Sequence, residues 1–295
     1  MLSIIIINYK MESLTISFVK KELSKIQIPH KTIVVNNAAT IESNETLCGE
    51  LGADLISDLN THINQEHTLF VLSSGENLGF AKGNNMGVEF CRRHFNPDYI
   101  LFANNDIIFK DTDVVEQMIQ KLSSLPKAGL IGPKVVGLDG VAQSPYPYIS
   151  FFDKMIALYW STLFLSKKQK NKRFQLDYPQ TAKEGFHYYV MGSFFIVKAQ
   201  EFYRCGMFDP HTFLYAEELI LSERMKRIGL NAYYYPKVCV IHEHGKTTSK
   251  FPQNQTQDIQ FESDMYYFKE YRHTKWFLLL LGEVTHFLRK SFRRI

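Results

Sequence analysis

The sequence is poor in cysteine and has no cysteine pair at the spacing of a zinc or redox motif. Its 295 residues include four cysteines, which lie far apart at Cys48, Cys91, Cys205 and Cys239. Because no C-x-x-C pair is present, a usual zinc ribbon is excluded and a disulfide framework has no support. We therefore expect four free thiols, as in a protein of the reducing cytoplasm.

Long apolar runs are also missing. The opening apolar segment, residues 3–7, is too short for the core of a signal peptide. The longest later candidates, residues 156–165 and 276–281, fall short of the roughly 18 apolar residues that a membrane span needs. These absences predict a cytoplasmic protein without a membrane-spanning helix.

A strong charge of either sign is missing as well. The net charge of +4 is too mild to indicate nucleic-acid binding, and we predict no nucleic-acid partner. The basic excess is local: one cluster spans residues 167–173, and the other contains Arg289, Lys290, Arg293 and Arg294. The ordinary interpretation of either cluster is a solvated face.

The first third of the chain alternates apolar strand patterns with amphipathic helical patterns. Strands are predicted at residues 2–7, 32–36, 68–72 and 99–103, and helices at residues 14–26 and 81–94. This order favours an α/β fold with an open, mostly parallel sheet that has helices on both faces. Ligands of such sheets bind beyond the carboxyl ends of the strands, so the polar segments there are candidate binding sites.

The pattern changes after about residue 110. Asp113 and Glu116 predict a capping box for a helix that runs to residue 122. Further strands are predicted at residues 129–136, 188–197 and 232–241, and a helix at residues 215–228. Residues 144–185 show no clear period, and we expect them to cross the surface rather than join the core.

Four polar segments have both a structural and a functional interpretation. Residues 77–87 are glycine-rich between a strand and a helix, which suits either a bound anion or a plain tight turn. Asp106 is either a turn residue or a ligand of a divalent cation. Glu217 and Glu218 are either first-turn acids that suit the helix dipole or include a general base. The segment 242–245 carries two histidines, which simple strand alternation or a metal site would explain.

Six blocks of the sequence occur together in one family. They are residues 3–9, 34–38, 77–87, 101–106, 191–224 and, more weakly, 240–245. In order and spacing they resemble the inverting family-2 glycosyltransferases of GT-A fold, especially the rhamnosyltransferase-like branch that builds bacterial surface polysaccharides. We accordingly predict a GT-A type sheet with a C-terminal helical extension.

The resemblance implies a role for each matching residue. The residues that would contact the nucleoside-diphosphate sugar are Asn8, Tyr9, Asn36, Asn37, Asn77, Gly79, Asn84, Asn104, Gly192 and Glu217. Asp106 and His242 match the residues that hold a divalent cation, manganese or magnesium, at the donor phosphates. Glu218 matches the second acid of the family's Glu-Asp pair, which is the catalytic base.

Three positions depart from the family pattern. Asn36 replaces an Asp, Glu218 replaces an Asp and is one methylene longer, and Ile220 stands where a further acid is common. The implied reaction is inverting transfer, in which Glu218 removes a proton from an acceptor hydroxyl as its oxygen attacks the anomeric carbon. The implied acceptor is a glycan, carried on lipid in such pathways.

Two other classes stay open on the sequence. A non-catalytic nucleotide-sugar-binding or partner subunit of a glycan assembly complex is compatible with the substitutions at positions 36, 218 and 220. A nucleotidyltransferase would usually need a basic glycine-rich loop after the first strand, where this chain has residues 8–12 without glycine.

The predicted organisation has three parts. They are a nucleotide-sugar-binding half over residues 1–110, an acceptor-binding and catalytic half over residues 111–255, and a helical tail over residues 256–295. In the tail, residues 284–295 alternate an apolar stripe with a basic one. This pattern predicts either a peripheral helix on an anionic membrane surface or a helix packed on the domain with its basic side in water.

Overall fold

The computed structural model describes residues 1–243 and 253–292, and within these ranges the chain builds one ten-stranded sheet. The strands are β1 (Leu2–Asn8), β2 (His30–Asn37), β3 (Asp54–Ile56), β4 (Leu69–Ser74), β5 (Tyr99–Ala103), β6 (Ile107–Phe109), β7 (Ala128–Val136), β8 (Gly185–His187), β9 (Phe194–Lys198) and β10 (Asn231–His242). Their spatial order is β3-β4-β2-β1-β5-β9-β7-β10-β6, with β8 beside β10.

The sheet is parallel from β3 to β5, and β7 pairs parallel with β10. The strands β9, β6 and β8 run antiparallel to their neighbours. This topology confirms the predicted open, mostly parallel sheet.

Helices surround the sheet. They are α1 (Glu12–Lys21), α2 (Ile41–Leu51), α3 (Gly79–His94), α4 (Val114–Ser123), α5 (Leu158–Phe164), α6 (Lys167–Phe174), α7 (Tyr178–Thr181), α8 (Ala199–Arg204), α9 (Glu217–Arg227), α10 (Gln253–Tyr266) and α11 (Trp276–Phe292). Two π-helical turns, Asp153–Ala157 and Tyr267–Tyr271, precede α5 and follow α10.

Both faces of the sheet are buried, which explains why its central strands are continuously apolar. In β1, Ile4 and Ile6 point into the core that α1, α2 and α4 cover. Ile5 points the other way, into the core beneath α3, α8 and α9. Alternation along the strand thus places successive isoleucines in different cores.

A third apolar cluster lies outside the sheet and corrects the prediction for residues 144–185. Phe151 and Ile156 from that segment are buried against Ile220, Tyr267 and Phe268. The segment therefore contributes to a core of its own and forms α5, α6 and α7. Its short helices and π-helical turn interrupt a regular apolar period, which is why the pattern suggested a surface excursion.

Two local predictions are wrong. Asp113 does not cap α4 with its side chain, which instead accepts the side-chain amide of Gln117 at 2.9 Å. Glu116 accepts the backbone N–H of Gln27 at 2.7 Å and so ties α4 to the segment before β2. The predicted strand at residues 188–197 is shorter, since β9 begins at Phe194. Residues 191–193 are thereby free to form the turn that meets α9.

The helix α11 begins well before the predicted start at residue 284. Its inner side carries the buried Thr285 with the half-buried His286 and Arg289, so the alternative in which the basic side lies in water holds for Lys290 but is wrong for these three residues. His286 stacks on Phe261 with ring centroids 3.9 Å apart, which draws this side of the helix inward. Residues 293–295 lie outside the described residues. Within the described ranges, no helix combines the length and the apolar character that crossing a bilayer requires.

Candidate active site

A cavity of about 120 Å³ opens at the carboxyl ends of β1, β2 and β5. Its lining consists of Ile7, Tyr9, Asn37, Asn77, Gly79, Phe80, Asn104, Asn105, Phe213 and Leu214. The sequence predicts five of these as donor-binding residues, namely Tyr9, Asn37, Asn77, Gly79 and Asn104. Phe213 and Leu214 come from the aromatic stretch that precedes the acid pair, so the segment leading to α9 forms one wall of the cavity.

Gly79 allows this wall to approach. Its φ of +72° is a conformation that glycine adopts without strain, and a β-carbon there would lie 2.2 Å from the carbonyl oxygen of Phe213. The backbone N–H of Phe80 donates to the same oxygen at 2.8 Å. The glycine-rich turn therefore serves to dock the segment before the acid pair.

Two asparagines shape the turn on its other side. The Nδ2 of Asn37 donates to Oδ1 of Asn77 at 2.9 Å, and Oδ1 of Asn37 accepts the backbone N–H of Leu78 at 2.8 Å. Asn77 in turn accepts the N–H of Gly79 at 3.0 Å. Neighbouring strand ends thus fix the shape of the cavity floor.

Asn8 and Asn36 lie behind the cavity rather than in its lining. They are opposite each other in the β1–β2 register, and Nδ2 of Asn8 donates to Oδ1 of Asn36 at 2.8 Å. Thr15 bridges Asn8 to Asn105, which does line the cavity. Asn84 is also buried and donates to the carbonyl oxygen of Phe80 one turn earlier in α3. These three predicted donor-binding residues therefore support the lining from behind.

The structure brings Asp106 and His242 together. Antiparallel pairing of β6 with β10 sets His242 opposite Ile107, and the N–H of Glu243 donates to the carbonyl oxygen of Asp106 at 3.0 Å. The Nε2 of His242 lies 3.3 Å from Oδ1 of Asp106, and both side chains are buried. His244 and Gly245, the rest of this predicted block, lie outside the described residues.

This pair has the donors that a divalent cation accepts. Oδ1 of Asp106 is buried and makes no hydrogen bond, although His242 stands at ion-pair distance from it. A carboxylate oxygen left unsatisfied in a buried position is costly unless a ligand completes it. Residues 1–243 and 253–292 contain no group of three or more acidic, histidine or cysteine side chains that could hold a metal. A cation here would need further oxygens, such as those of a diphosphate.

The acid pair opens α9. Tyr215 and Ala216, just before it, both have positive φ values, +72° and +63°, which are uncommon for residues other than glycine. This turn directs Glu217 into the interior and leaves Glu218 half-buried beside it. Oε1 of Glu218 accepts the backbone N–H of Gly192 at 3.1 Å, whereas Oε1 of Glu217 is buried without a hydrogen bond.

Burial raises the pKa of both carboxyls above the ordinary value of 4.5. For Glu217 the pKa lies well above it, because burial is joined by the charge of Glu218. For Glu218 burial is opposed by the N–H of Gly192 and the charge of Lys154. Of the two carboxyls, Glu217 therefore has its pKa raised further, and Glu218 is the one that more readily gives up its proton, as a general base requires.

Four residues around Glu218 were not predicted from the sequence. Tyr146 and Tyr189 stack with ring centroids 4.9 Å apart, and the charge of Glu218 contributes to the raised pKa of each. Lys154 and Asp264 form an ion pair at 2.6 Å, and the charges of both act on Glu218. The two tyrosines at positions 146 and 148 were the one feature of the sequence that pointed to these neighbours of Glu218.

The chain is similar to several curated glycosyltransferases, whereas no family model matches it. It is 27% identical over 175 residues to the rhamnosyltransferase WbbL of Escherichia coli K12. It is 23% identical over 218 residues to the N-acetylglucosaminyl-diphospho-decaprenol L-rhamnosyltransferase of Mycobacterium tuberculosis, and 24% identical over 264 residues to the low-salt glycan biosynthesis hexosyltransferase Agl10 of Haloferax volcanii.

These matches are partial. They span 57%, 70% and 89% of this chain, and 62%, 68% and 73% of the relatives, in the same order. The chain therefore covers less than two thirds of the length of the first of them.

Solved structures share the fold. A mannosyltransferase from Pyrobaculum calidifontis, in complex with GDP-Man and Mn²⁺, superposes with a TM-score of 0.59 at 13% identity, over 93% of this chain and 64% of that one. GalNAc-T7 with UDP, GalNAc and Mn²⁺ gives a TM-score of 0.55 at 13% identity, over 82% and 43%. The predicted GT-A type fold and the resemblance to rhamnosyltransferase-like glycosyltransferases are both confirmed.

Proposed function

We propose that this chain, a rhamnosyltransferase-like protein with the GT-A glycosyltransferase fold, transfers a sugar from a nucleoside diphosphate to a hydroxyl of a lipid-linked glycan. The observation that carries the proposal is the continuity between the cavity and the acid pair. Phe213 and Leu214 line the cavity, and the chain then turns through two left-handed residues to the buried Glu217 and the half-buried Glu218. A donor site and a candidate base thus share one short segment.

The donor would bind in the cavity at the strand ends. Tyr9, Asn37, Asn77, Gly79 and Asn104 line it and offer an aromatic ring, amides and backbone groups to a nucleotide. The two structural neighbours were solved with GDP-Man and with UDP, which supports a nucleotide sugar as the ligand class. Asn8, Asn36 and Asn84 would position this lining rather than contact the donor.

Glu218 would act as the base. Its carboxylate is held by the N–H of Gly192, which keeps one oxygen in place and leaves the other for an acceptor hydroxyl. Proton removal by Glu218 would accompany attack of the acceptor oxygen on the anomeric carbon, with the nucleoside diphosphate leaving from the opposite face and the configuration inverting. Exclusion of water by the third apolar cluster beside α9 would favour transfer over hydrolysis.

Asp106 and His242 would hold a divalent cation, manganese or magnesium. Such an ion, when bound, neutralises negative charge on the leaving diphosphate. Both neighbours were solved with Mn²⁺, which supports this choice. Asp106 would supply an oxygen and His242 a nitrogen, and the contact between Glu243 and the backbone of Asp106 would keep the pair in register.

The acceptor would be carried on a membrane lipid. The name of the mycobacterial relative specifies a diphospho-decaprenol substrate. The outer side of α11 offers a place where this chain would meet a bilayer surface, because it exposes six large apolar side chains, Trp276, Phe277, Leu280, Leu281, Val284 and Phe287. Lys275 and Lys290 stand exposed at its two ends, where they suit anionic headgroups.

A single-turnover assay tests the function. The full chain is mixed with a panel of nucleotide sugars and a prenyl-diphosphate-linked acceptor, with and without Mn²⁺, and release of nucleoside diphosphate is measured. We expect acceptor-dependent release with one donor in the presence of the cation. Binding of a donor without any release would instead favour the non-catalytic alternative, which the departures at positions 36, 218 and 220 suggest.

A further inference from the structure

A second cavity, of about 300 Å³, lies beside the third apolar cluster, against which its lining residue Met155 packs. Its walls come from the first turns of the 153–164 helical segment, from α10 and from the inner side of α11. They consist of Lys154, Met155, Leu158, Tyr159, Gln257, Gln260, Phe261, Asp264, Thr285, His286 and Arg289. This volume is at the lower end of the range for small-molecule sites. We refer to it as the α10–α11 cleft.

The cleft is amphipathic, with an excess of positive charge. Lys154 pairs with Asp264, while Asp258 at the rim is shared by His286 at 3.1 Å and Lys290 at 2.6 Å. The guanidinium of Arg289 stands 5.5 Å from the centre of the Tyr159 ring. Within the lining, the cations Lys154 and Arg289 thus outnumber the one carboxylate, Asp264. Such a lining suits an anion beside an apolar group.

Two neighbours of the cleft indicate which anion. At its inner end, Met155 packs against the apolar cluster that contains Leu219 and Ile220, the two residues that follow the acid pair in α9. The charges of Lys154 and Asp264 there act on Glu218. At its outer end, α11 presents Thr285, His286 and Arg289 to the cleft and its six exposed apolar side chains to the outside. A molecule with a diphosphate between a sugar and a hydrocarbon chain would match this order of surfaces, with the sugar toward the acid pair, the diphosphate in the charged cleft and the chain toward the apolar side of α11.

We propose that the α10–α11 cleft binds the diphosphate of a lipid-linked acceptor, with Arg289, His286 and Lys154 contacting the phosphates. The acceptor sugar then extends toward Glu218, and the first isoprene units lie against Met155, Leu158 and Phe261. This assignment rests on the proposed function and names where its acceptor binds. It concerns binding alone, so it is testable without a donor or turnover.

The test is calorimetric titration of the full chain with farnesyl diphosphate, farnesol and inorganic pyrophosphate. We expect farnesyl diphosphate to bind at least tenfold more tightly than either of the others, because each of them lacks one half of the ligand. Arg289→Gln removes a charged contact and should weaken binding of farnesyl diphosphate about tenfold. The control Lys21→Gln, which removes an exposed cation on α1 outside the cleft, should change it less than threefold.

Each outcome decides the matter. Equal affinity of farnesyl diphosphate for the wild type and Arg289→Gln would overturn the assignment, provided the melting temperature shows the variant to be folded. His286→Gln, which keeps a hydrogen-bonding group, serves as the second variant should Arg289→Gln fail to fold. If pyrophosphate bound as tightly as farnesyl diphosphate, the cleft would be a site for free phosphates, and the proposal that it binds a lipid-linked diphosphate would be overturned. Farnesol binding as tight would assign the interaction to the exposed side of α11. Absence of sugar transfer with this binding intact would count against the proposed function alone.

Discussion

Gly192 lies against Glu218 so closely that the position cannot carry a side chain without displacing the acid. Its N–H donates to Oε1 of Glu218 at 3.1 Å, and a β-carbon on Gly192 would stand 2.5 Å from that oxygen. Real β-carbons are essentially never found so close to another heavy atom. The glycine therefore allows the contact that holds the candidate base in position.

We expect Gly192→Ala to lower kcat at least tenfold while the affinity for the nucleoside diphosphate changes little, because Glu218 moves but the donor cavity does not. Steady-state kinetics measure kcat, and titration with the nucleoside diphosphate measures its affinity. Gly75→Ala is the matched control, since a β-carbon at Gly75 meets nothing within 4 Å. A wild-type kcat for Gly192→Ala would mean that the contact does not position the base.

Glu218→Gln should reduce turnover by about a hundredfold or more, because the amide keeps the shape and the hydrogen bond to Gly192 but cannot take a proton. Glu217→Gln should retain most of the activity, since we expect Glu217 to be protonated in the wild type. Nucleotide affinity should be similar in both variants. If Glu217→Gln proved the more damaging change, the base would be Glu217 and the assignment would be off by one residue.

The stability of the protein should fall with rising pH through the carboxyl of Glu217. Its pKa is ordinary in the unfolded chain and well above 4.5 in the folded one, because of burial and the neighbouring Glu218. Below about pH 4.5 it is protonated in both states. As the pH rises toward the raised folded pKa, the unfolded state loses its proton first and the free energy of unfolding decreases.

Glu217→Gln should therefore gain melting temperature relative to the wild type as the pH is raised from 4 to 8. Differential scanning calorimetry across that range measures the difference. Glu45→Gln, an exposed position on α2, should show no such trend. A difference between Glu217→Gln and the wild type that is constant with pH would contradict a buried, proton-holding Glu217.

The Asp106–His242 pair shows what the sequence could predict. Both residues follow or end apolar strand patterns, and the rule that ligands bind beyond strand ends directs attention to such positions. Their contact needs the antiparallel pairing of β6 with β10, which the motif order of the family implies but no local pattern contains. The cavity at the strand ends was predictable for the same reason, as much of its lining comes from the ends of β1, β2 and β5 and from the turn before α3.

The surround of Glu218 shows what the sequence could not predict. Lys154 and Asp264 meet through a contact between a π-helical turn and α10, and neither lies in a segment with a clear period or a known motif. Asn8 and Asn36 show a second limit. The motif identifies them as strand-end amides, but their mutual hydrogen bond, set by the β1–β2 register, follows from the pairing of the strands and from no local pattern.

Asp106→Ala should abolish the dependence of nucleotide binding on Mn²⁺ and any metal-dependent transfer, while the melting temperature stays near that of the wild type. The reason is that Oδ1 of Asp106 makes no hydrogen bond in the folded chain, so its removal loses little. Titration of the nucleotide with and without Mn²⁺ is the measurement. Asp113→Ala on the surface is the control, and retention of a wild-type Mn²⁺ effect in Asp106→Ala would assign the cation elsewhere.

The outer side of α11 should bind anionic bilayers through its apolar side chains. Leu280, Val284 and Phe287 are 51%, 46% and 69% exposed on one side of the helix, and the opposite side is occupied by contacts to α10 and the cleft. Replacing these three residues with Gln should reduce cosedimentation with phosphatidylglycerol liposomes at least about tenfold, since inserting each apolar side chain into the bilayer is worth up to roughly 1.5–3 kcal/mol.

Ile41→Gln with Leu138→Gln is the matched control, because these residues are 80% and 73% exposed elsewhere on the protein. Substitution is preferable to ending the chain at Gly282, because a truncation would also remove the wall of the α10–α11 cleft. Equal cosedimentation of the triple variant and the wild type, or none by either, would show that this side of α11 does not meet a membrane.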